Sequence, residues 1–223
     1  MIEFYFHPSP NPMKVALMLE ELALPFQLVP VDIFEGEQHA PAFRALNPNG
    51  KVPVLVDDGT PVFDSHAILL HLADTRGRFL ADRGPARAAA LSWLQLIATG
   101  LSPFSGQAVH FLHYAPEQLP YAKKRYLGEV ERHYEVLDAR LAKSPFLAGD
   151  AYGIADMALW GWARSAAYIF GDRGLAAYPN VARTVDTISA RPAAVRAWAL
   201  RDKPVLKTAF DEETRRALFP RNG

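Results

Sequence analysis

The chain changes texture between Gly77 and Pro85. Before that stretch, short strand-like runs alternate with helical ones. After it no convincing strand pattern occurs, only long helical periodicities. The 223 residues fit one large domain or two small ones, and the shift favours two: an α/β unit first, then an all-helical one.

The first unit reads in order. Residues 2–7 form a strand, Ile2-Glu3-Phe4-Tyr5-Phe6, closed by the breaker cluster Pro8-Ser9-Pro10-Asn11-Pro12. A helix follows, with Asn11 expected as N-cap and Pro12 at the first helical position, where a missing N–H costs nothing. Its apolar stripe is Val15, Met18, Leu19 and Leu22. Phe26 to Val31 is strand-like, and Gly36 to Leu46 is irregular or weakly helical. Lys51 to Val56 is a strand interrupted by proline; the turn Asp57-Asp58-Gly59 joins it to Pro61-Val62-Phe63 as a hairpin. Asp64-Ser65 then opens a helix to about Arg76. The order β-α-β-α-β-β-α is a thioredoxin-like arrangement. Further helices are predicted over 86–113, 117–142, 154–169, 180–190 and 193–201. The expected fold is therefore an α/β thioredoxin-like N-terminal domain (1–78), a linker (79–85) and an all-α helical-bundle domain (86–223).

Charge narrows the function. Lys+Arg and Asp+Glu are both 24, which leaves no field for gathering phosphates and makes nucleic acid an unexpected partner. Zero net charge also permits self-association. With no cysteine, the chain offers no disulfide scaffold, thiolate metal site or cysteine nucleophile. Any sulfur chemistry must come from a bound small molecule. No leader pattern precedes the first strand, and no apolar run approaches the roughly 18 residues of a membrane span. A cytoplasmic protein with no membrane partner is the expectation.

The sharpest motif is Asn47-Pro48-Asn49-Gly50-Lys51-Val52-Pro53-Val54-Leu55. A proline just inside a strand removes a ladder donor. If the Val52-Pro53 bond is cis, Val52 presents its own N–H and C=O, and a peptide ligand can pair there like an added strand; an edge-strand proline is the commoner case. Asp64-Ser65 stands at a helix N-terminus, where unpaired N–H groups favour a carboxylate. Ser65 can donate to that carboxylate while Asp64 pairs with an ammonium, which together describe an amino-acid head such as γ-glutamyl. The same two residues also make an ordinary capping pair.

These stretches, with Ser9-Pro10-Asn11-Pro12-Met13-Lys14-Val15 and the Phe146-Leu147-Ala148-Gly149-Asp150 and Ile154-Ala155-Asp156 segments, resemble the glutathione transferase superfamily over nearly the whole chain. Gly100 to Phe111, Tyr114-Ala115-Pro116 and Pro120-Tyr121-Ala122 are similar to its bacterial Nu class, related to the yeast nitrogen-regulatory prion protein. The resemblance implies glutathione or glutathione disulfide as ligand, disulfide-bond reductase activity with weak conjugation of small electrophiles, and a homodimer. It puts Asn11 and Ser9 at the glutathione sulfur. Gln38, Lys51, Val52, Pro53, Asp64 and Ser65 fall on the rest of the tripeptide, and Arg132 at a second glutathione. One departure is Gly153, where the helical-domain capping motif usually has Ser or Thr.

Alternatives accompany several of these roles. Asn11 is equally a plain N-cap, and Ser9 a turn residue. Tyr5 is a rival sulfur donor, although its alternation with Phe4 and Phe6 reads as structural. His110 and His113, three apart on a helix, lack a third ligand, so no metal is expected. The aromatic set Trp93, Phe104, Phe111, Trp160 and Trp162 reads as helical core. A non-catalytic binding or regulatory module on the same fold is the alternative function.

Overall fold

A computed structural model describes residues 1–221. Its contacts gather into two units, one of residues 1–72 with those from Pro192 onward, the other of residues 73–191.

The first unit is built on a four-stranded sheet of order β2-β1-β3-β4, from β1 (Ile2–Phe6), β2 (Phe26–Pro30), β3 (Val54–Asp57) and β4 (Thr60–Phe63). β1 and β2 are parallel, which requires a crossover, supplied by α1 (Pro10–Glu21). β3 runs antiparallel to β1 and forms a hairpin with β4. Asp58 and Gly59 at its tip both have positive φ, 48° and 83°, as a type I′ turn demands. Along β1, Ile2, Phe4 and Phe6 are buried while Glu3 and Tyr5 are only partly so. Alternation of this kind commits the apolar side chains to one face.

Two expectations are corrected here. α1 is capped by Ser9, with Pro10 in the first turn, so Asn11 is already helical. β3 starts at Val54, and the cis Val52-Pro53 bond lies just ahead of it. The 36–46 stretch, read as irregular or weakly helical, does contain a short helix, α2 (Pro41–Leu46). The stripe on α1 also widens: residues 12 to 19 are all buried, Lys14 included.

α3 (Ser65–Arg76) carries the border between the units. The second unit continues with α4 (Gly84–Leu96) and α5 (Ser102–Val109), extended by π turns at 97–101 and 110–114. α6 (Pro120–Leu141), α7 (Ile154–Ala163), α8 (Ala166–Phe170) and α9 (Pro179–Ser189) follow. Trp160 and Tyr134 are fully buried among them. Trp160 Nε1 donates to Ser189 Oγ at 3.0 Å, and Tyr134 stacks on Tyr178. Asp138 caps α9 by accepting from the Asn180 and Val181 amides.

The N-terminus of α7 explains Gly153. Buried Asp156 accepts from the Gly153 and Leu147 amides at 2.9 and 2.8 Å. Burial raises its carboxyl to about 6 against the pull of those bonds. Glycine has no side chain with which to complete the reciprocal capping box. Instead the Phe79 carbonyl accepts the Ile154 amide at 3.1 Å, and a Cβ on Gly153 would lie 2.7 Å from that oxygen.

Two more helices, α10 (Pro192–Ala199) and α11 (Glu212–Leu218), pack in the first unit. Arg196 of α10 holds Glu20 of α1, and the Lys207 amide donates to Asp32 at 2.6 Å. The sequence reading assigned this segment to the helical domain.

Candidate functional site

The Asn47–Lys51 loop is braced by one buried side chain. Asn47 Nδ2 donates to the Lys51 carbonyl at 2.6 Å, and its Oδ1 accepts the Asn49 amide at 2.9 Å. Gly50 completes the bend at φ 63°, and a Cβ there would sit 3.2 Å from the Gln38 carbonyl. Only glycine suits both the left-handed backbone and the close approach. The loop thus delivers Lys51, Val52 and Pro53 to a pocket they line together with Asn11, Asn47, Asn49, Phe63, Asp64 and Ser65.

On the facing side, Asp64 caps α3. Its Oδ1 accepts the His66 amide at 2.8 Å and the Ala67 amide at 3.3 Å. The His66 ring first, then these amides, hold the Asp64 carboxyl well below its ordinary value. It is therefore an anion at neutral pH, and its side chain is 62% exposed, free to meet a cation. Ser65 is buried and lines the pocket. Asp64, Ser65 at a helix start and the exposed Lys51 therefore line one space, and their side chains make a donor and acceptor set that suits a zwitterion with a further anionic end.

With Ser9 as the cap of α1, the plain-cap reading of Asn11 falls away, and Asn11 lines the pocket. Ser9 makes no side-chain capping bond and lies outside the lining residues. Tyr5 turns away: its hydroxyl donates to Glu3 at 3.2 Å, its ring meets Phe43 edge-on, and it packs on the cluster of Val31, Phe43 and Val54.

Two candidates are occupied elsewhere. Gln38 is buried, and its Nε2 donates to the carbonyls of Ile33 and of Ala217 on α11, at 3.2 and 3.1 Å. The C-terminal segment thus holds it away from the pocket lining. Arg132 is exposed on α6 and pairs with Glu129 through Nε and a terminal nitrogen, at 3.0 and 2.9 Å. His113 stacks on Tyr168 and bonds its carbonyl oxygen. Among the described residues no group of three His, Asp or Glu side chains could hold a metal ion.

Sequence reasoning missed Asn47 as a brace, and Asn49 and Phe63 as lining. It also missed the contact between Lys14 and His66, both buried, behind the Asp64-Ser65 corner at 3.2 Å. A signal for Lys14 existed. It is the single charge in the run Pro12 to Leu19, which is apolar on every face and therefore has no solvent side.

A thioredoxin-like sheet unit continued by a helical unit is the architecture of glutathione-using proteins, and the chain belongs to the glutathione S-transferase family. The family's N-terminal domain matches residues 8–75 and its C-terminal domain residues 120–201. Within the family the chain is similar to the disulfide-bond oxidoreductase YfcG of Escherichia coli, 44% identical over 200 residues, covering 86% of this chain and 92% of that one. Among solved structures it resembles a glutathione transferase from Burkholderia graminis with two glutathione molecules bound per subunit. There the TM-score is 0.84 and the identity 34%, over 91% of this chain and 89% of that one. The transferase URE2P6 from Phanerochaete chrysosporium, in complex with oxidized glutathione, matches with a TM-score of 0.85 and 32% identity, over 91% and 96%.

Proposed function

We propose that the protein is a glutathione-dependent enzyme that activates the glutathione thiol to reduce disulfides, with conjugation to small electrophiles as a lesser activity. The observation that carries this is the convergence of Asp64, Ser65, Lys51, Val52 and Asn11 on one pocket. Asp64 takes the ligand's ammonium and Ser65 its γ-glutamyl carboxylate. The Val52 main chain pairs with the cysteinyl backbone, Lys51 attracts the glycyl carboxylate, and Asn11 with Ser9 solvates the sulfur. Gln38 contributes once it exchanges its bond to Ala217.

The chemistry follows from the absence of cysteine. The glutathione thiolate attacks one sulfur of the substrate disulfide. A mixed disulfide forms, and the departing thiolate takes up a proton. A second glutathione thiolate then attacks the glutathione sulfur of that mixed disulfide, which yields glutathione disulfide and the second substrate thiol. Arg132 is proposed to hold that second molecule. The reading includes a homodimer, as the family resemblance implies and as zero net charge permits, and a cytoplasmic location, where reduced glutathione is plentiful. Among the described residues no helix is long and apolar enough to cross a membrane.

The test is calorimetry with glutathione and glutathione disulfide, followed by turnover of a mixed disulfide. Binding with turnover supports the enzyme. Binding without turnover, of either a disulfide or chlorodinitrobenzene, leaves a binding module. No binding at millimolar ligand refutes both.

A further inference from the structure

Behind the pocket lies a pair of buried side chains that the proposed chemistry does not use. Lys14, fully buried on α1, places Nζ 3.2 Å from Nε2 of His66, itself 7% exposed, at the start of α3. The other ring nitrogen, Nδ1, looks toward the pocket corner, 3.5 Å from Ser65 Oγ and 3.6 Å from Asp64 Oδ1.

We propose that Lys14, acting through His66, sets the direction of the Ser65 hydroxyl and so makes the pocket select a ligand whose amino-acid head bears a free α-carboxylate. The proposal rests on the reading of this pocket as the glutathione site. An ammonium has donors and no acceptor, so it must meet a ring nitrogen that carries a lone pair. With Nε2 engaged in that way, the proton of a neutral imidazole resides on Nδ1. Burial, reinforced by the Lys14 charge, lowers the His66 pKa and keeps the ring neutral. Nδ1–H then faces both the Asp64 carboxylate and Ser65 Oγ, so the ring offers the hydroxyl no acceptor, and the hydroxyl hydrogen is left to point into the pocket. Without the ammonium, Nε2 can hold the proton instead. Nδ1 becomes an acceptor, the hydroxyl turns inward toward it, and an incoming carboxylate meets a lone pair.

The arrangement needs Lys14 charged. Burial lowers it to about 7, opposed by the attraction of Asp64, so acidic pH favours the ammonium. The titratable groups facing it at the α3 corner are His66 and Asp64. α10, which also packs on α1, engages that helix through Arg196 and Glu20 at its other end, and His7 beyond β1 has Asp32 as its charged neighbour. Lys14 and His66 are thus positioning residues, and Ser65 is the group that touches the ligand.

The experiment uses two thiol-blocked probes at pH 6.5: S-methylglutathione, and its analogue with 4-aminobutyryl in place of γ-glutamyl, which keeps the amine and lacks the α-carboxylate. Calorimetry is run on the wild-type chain, Lys14→Met, His66→Phe, Ser65→Ala and Lys14→Met/Ser65→Ala, with circular dichroism as the folding check. Lys14→Met and His66→Phe each weaken S-methylglutathione on the order of tenfold or more, the size of one hydrogen bond to a charged group. Both leave the 4-aminobutyryl analogue within about twofold, an offset expected from non-contacting changes. In the Ser65→Ala background Lys14→Met adds nothing, since the pair acts through that hydroxyl. Equal weakening of both probes, additive effects in the double variant, or unchanged affinity in Lys14→Met overturns the proposal. Should Lys14→Met fail to fold, His66→Phe decides on the same outcomes. A wild-type chain that binds S-methylglutathione no better than millimolar sinks the pocket reading itself, a result separate from any of these.

Discussion

Replacing Gly153 with serine restores the residue type usual in the family's capping motif, and the structure predicts that it destabilises this chain. Serine at an N-cap is better than glycine by only a few tenths of a kcal/mol. The space is already taken. A Cβ at this position would lie 2.7 Å from the Phe79 carbonyl oxygen, a backbone atom that cannot swing aside like a side-chain end. Phe79 is further constrained by its positive φ of 67°, unusual for an aromatic residue, and by its edge contact with Tyr152. Moving it stretches the Ile154 amide bond to Phe79, now 3.1 Å, for a loss of about 1 kcal/mol. Overpacking of a tight site costs about 1–3 kcal/mol more. The net expectation is a loss of about 2 kcal/mol, with Gly153→Ala slightly worse because it gains no cap. At fixed protein concentration, equilibrium urea unfolding should show the midpoint falling by about 1 M with an unchanged slope. A midpoint that rises in Gly153→Ser would refute the reasoning, because the hydroxyl cap would then outweigh the Phe79 contact.

The remaining predictions concern the sheet unit. Asn47→Ala removes both braces of the Asn47–Lys51 loop, at about 1 kcal/mol per hydrogen bond; glutathione affinity by calorimetry should fall about tenfold, with the bound thiol's acidity unchanged. His7 is lowered to about 4 by burial, against the pull of Asp32. Its unfolded form binds the proton more readily, so its contribution is complete above pH 6.5 and lost as pH falls from there toward 4, by up to about 3 kcal/mol; His7→Leu should flatten that part of the pH–stability curve, and an unchanged slope would count against it. Asn11→Ala should raise the pKa of bound glutathione by about one unit, the worth of a single donor, while Tyr5→Phe should not. Equal shifts in an ultraviolet thiolate titration would reject that assignment.

Much of the sheet unit was legible because each element carries its own local signal. The Asp58-Gly59 turn requires two positive φ angles and these residues supply them, and Asp64-Ser65 marks the start of α3 as read. The start of α1 was less determinate. Pro10 and Pro12 are both tolerated in a first turn whose N–H groups have no intrahelical partner, so spacing alone could not choose between Ser9 and Asn11 as cap. Amphipathic period reveals that a helix has a buried face and is silent on what covers it. For that reason neither the packing of α10 on α1 nor the grip of Ala217 on Gln38 was visible. The π turns at 97–101 and 110–114 add one residue per turn without changing residue type. Gly100 is the exception. A side chain there would collide with the buried His133 ring, at 2.1 Å, so this glycine marks a close approach that sequence alone could not assign.

The double proline also bears on how the sulfur can be stabilised. A helix N-terminus ordinarily offers several main-chain donors to an anion. In α1, Pro10 and Pro12 have none, and the Met13 amide already donates to the Ser9 carbonyl at 3.2 Å. Main-chain donors for an anion are therefore scarce in that turn. Lowering a thiol from about 8.5 by two units takes about 2.7 kcal/mol, and one hydrogen bond contributes about 1 kcal/mol net, somewhat more to an ion. A single donor falls short, so the proposed thiol activation calls on the Asn11 side chain and the Ser9 hydroxyl together. On the proposed reading, the same prolines that obscure the cap in the sequence shift the burden of thiol activation from the helix backbone to short polar side chains.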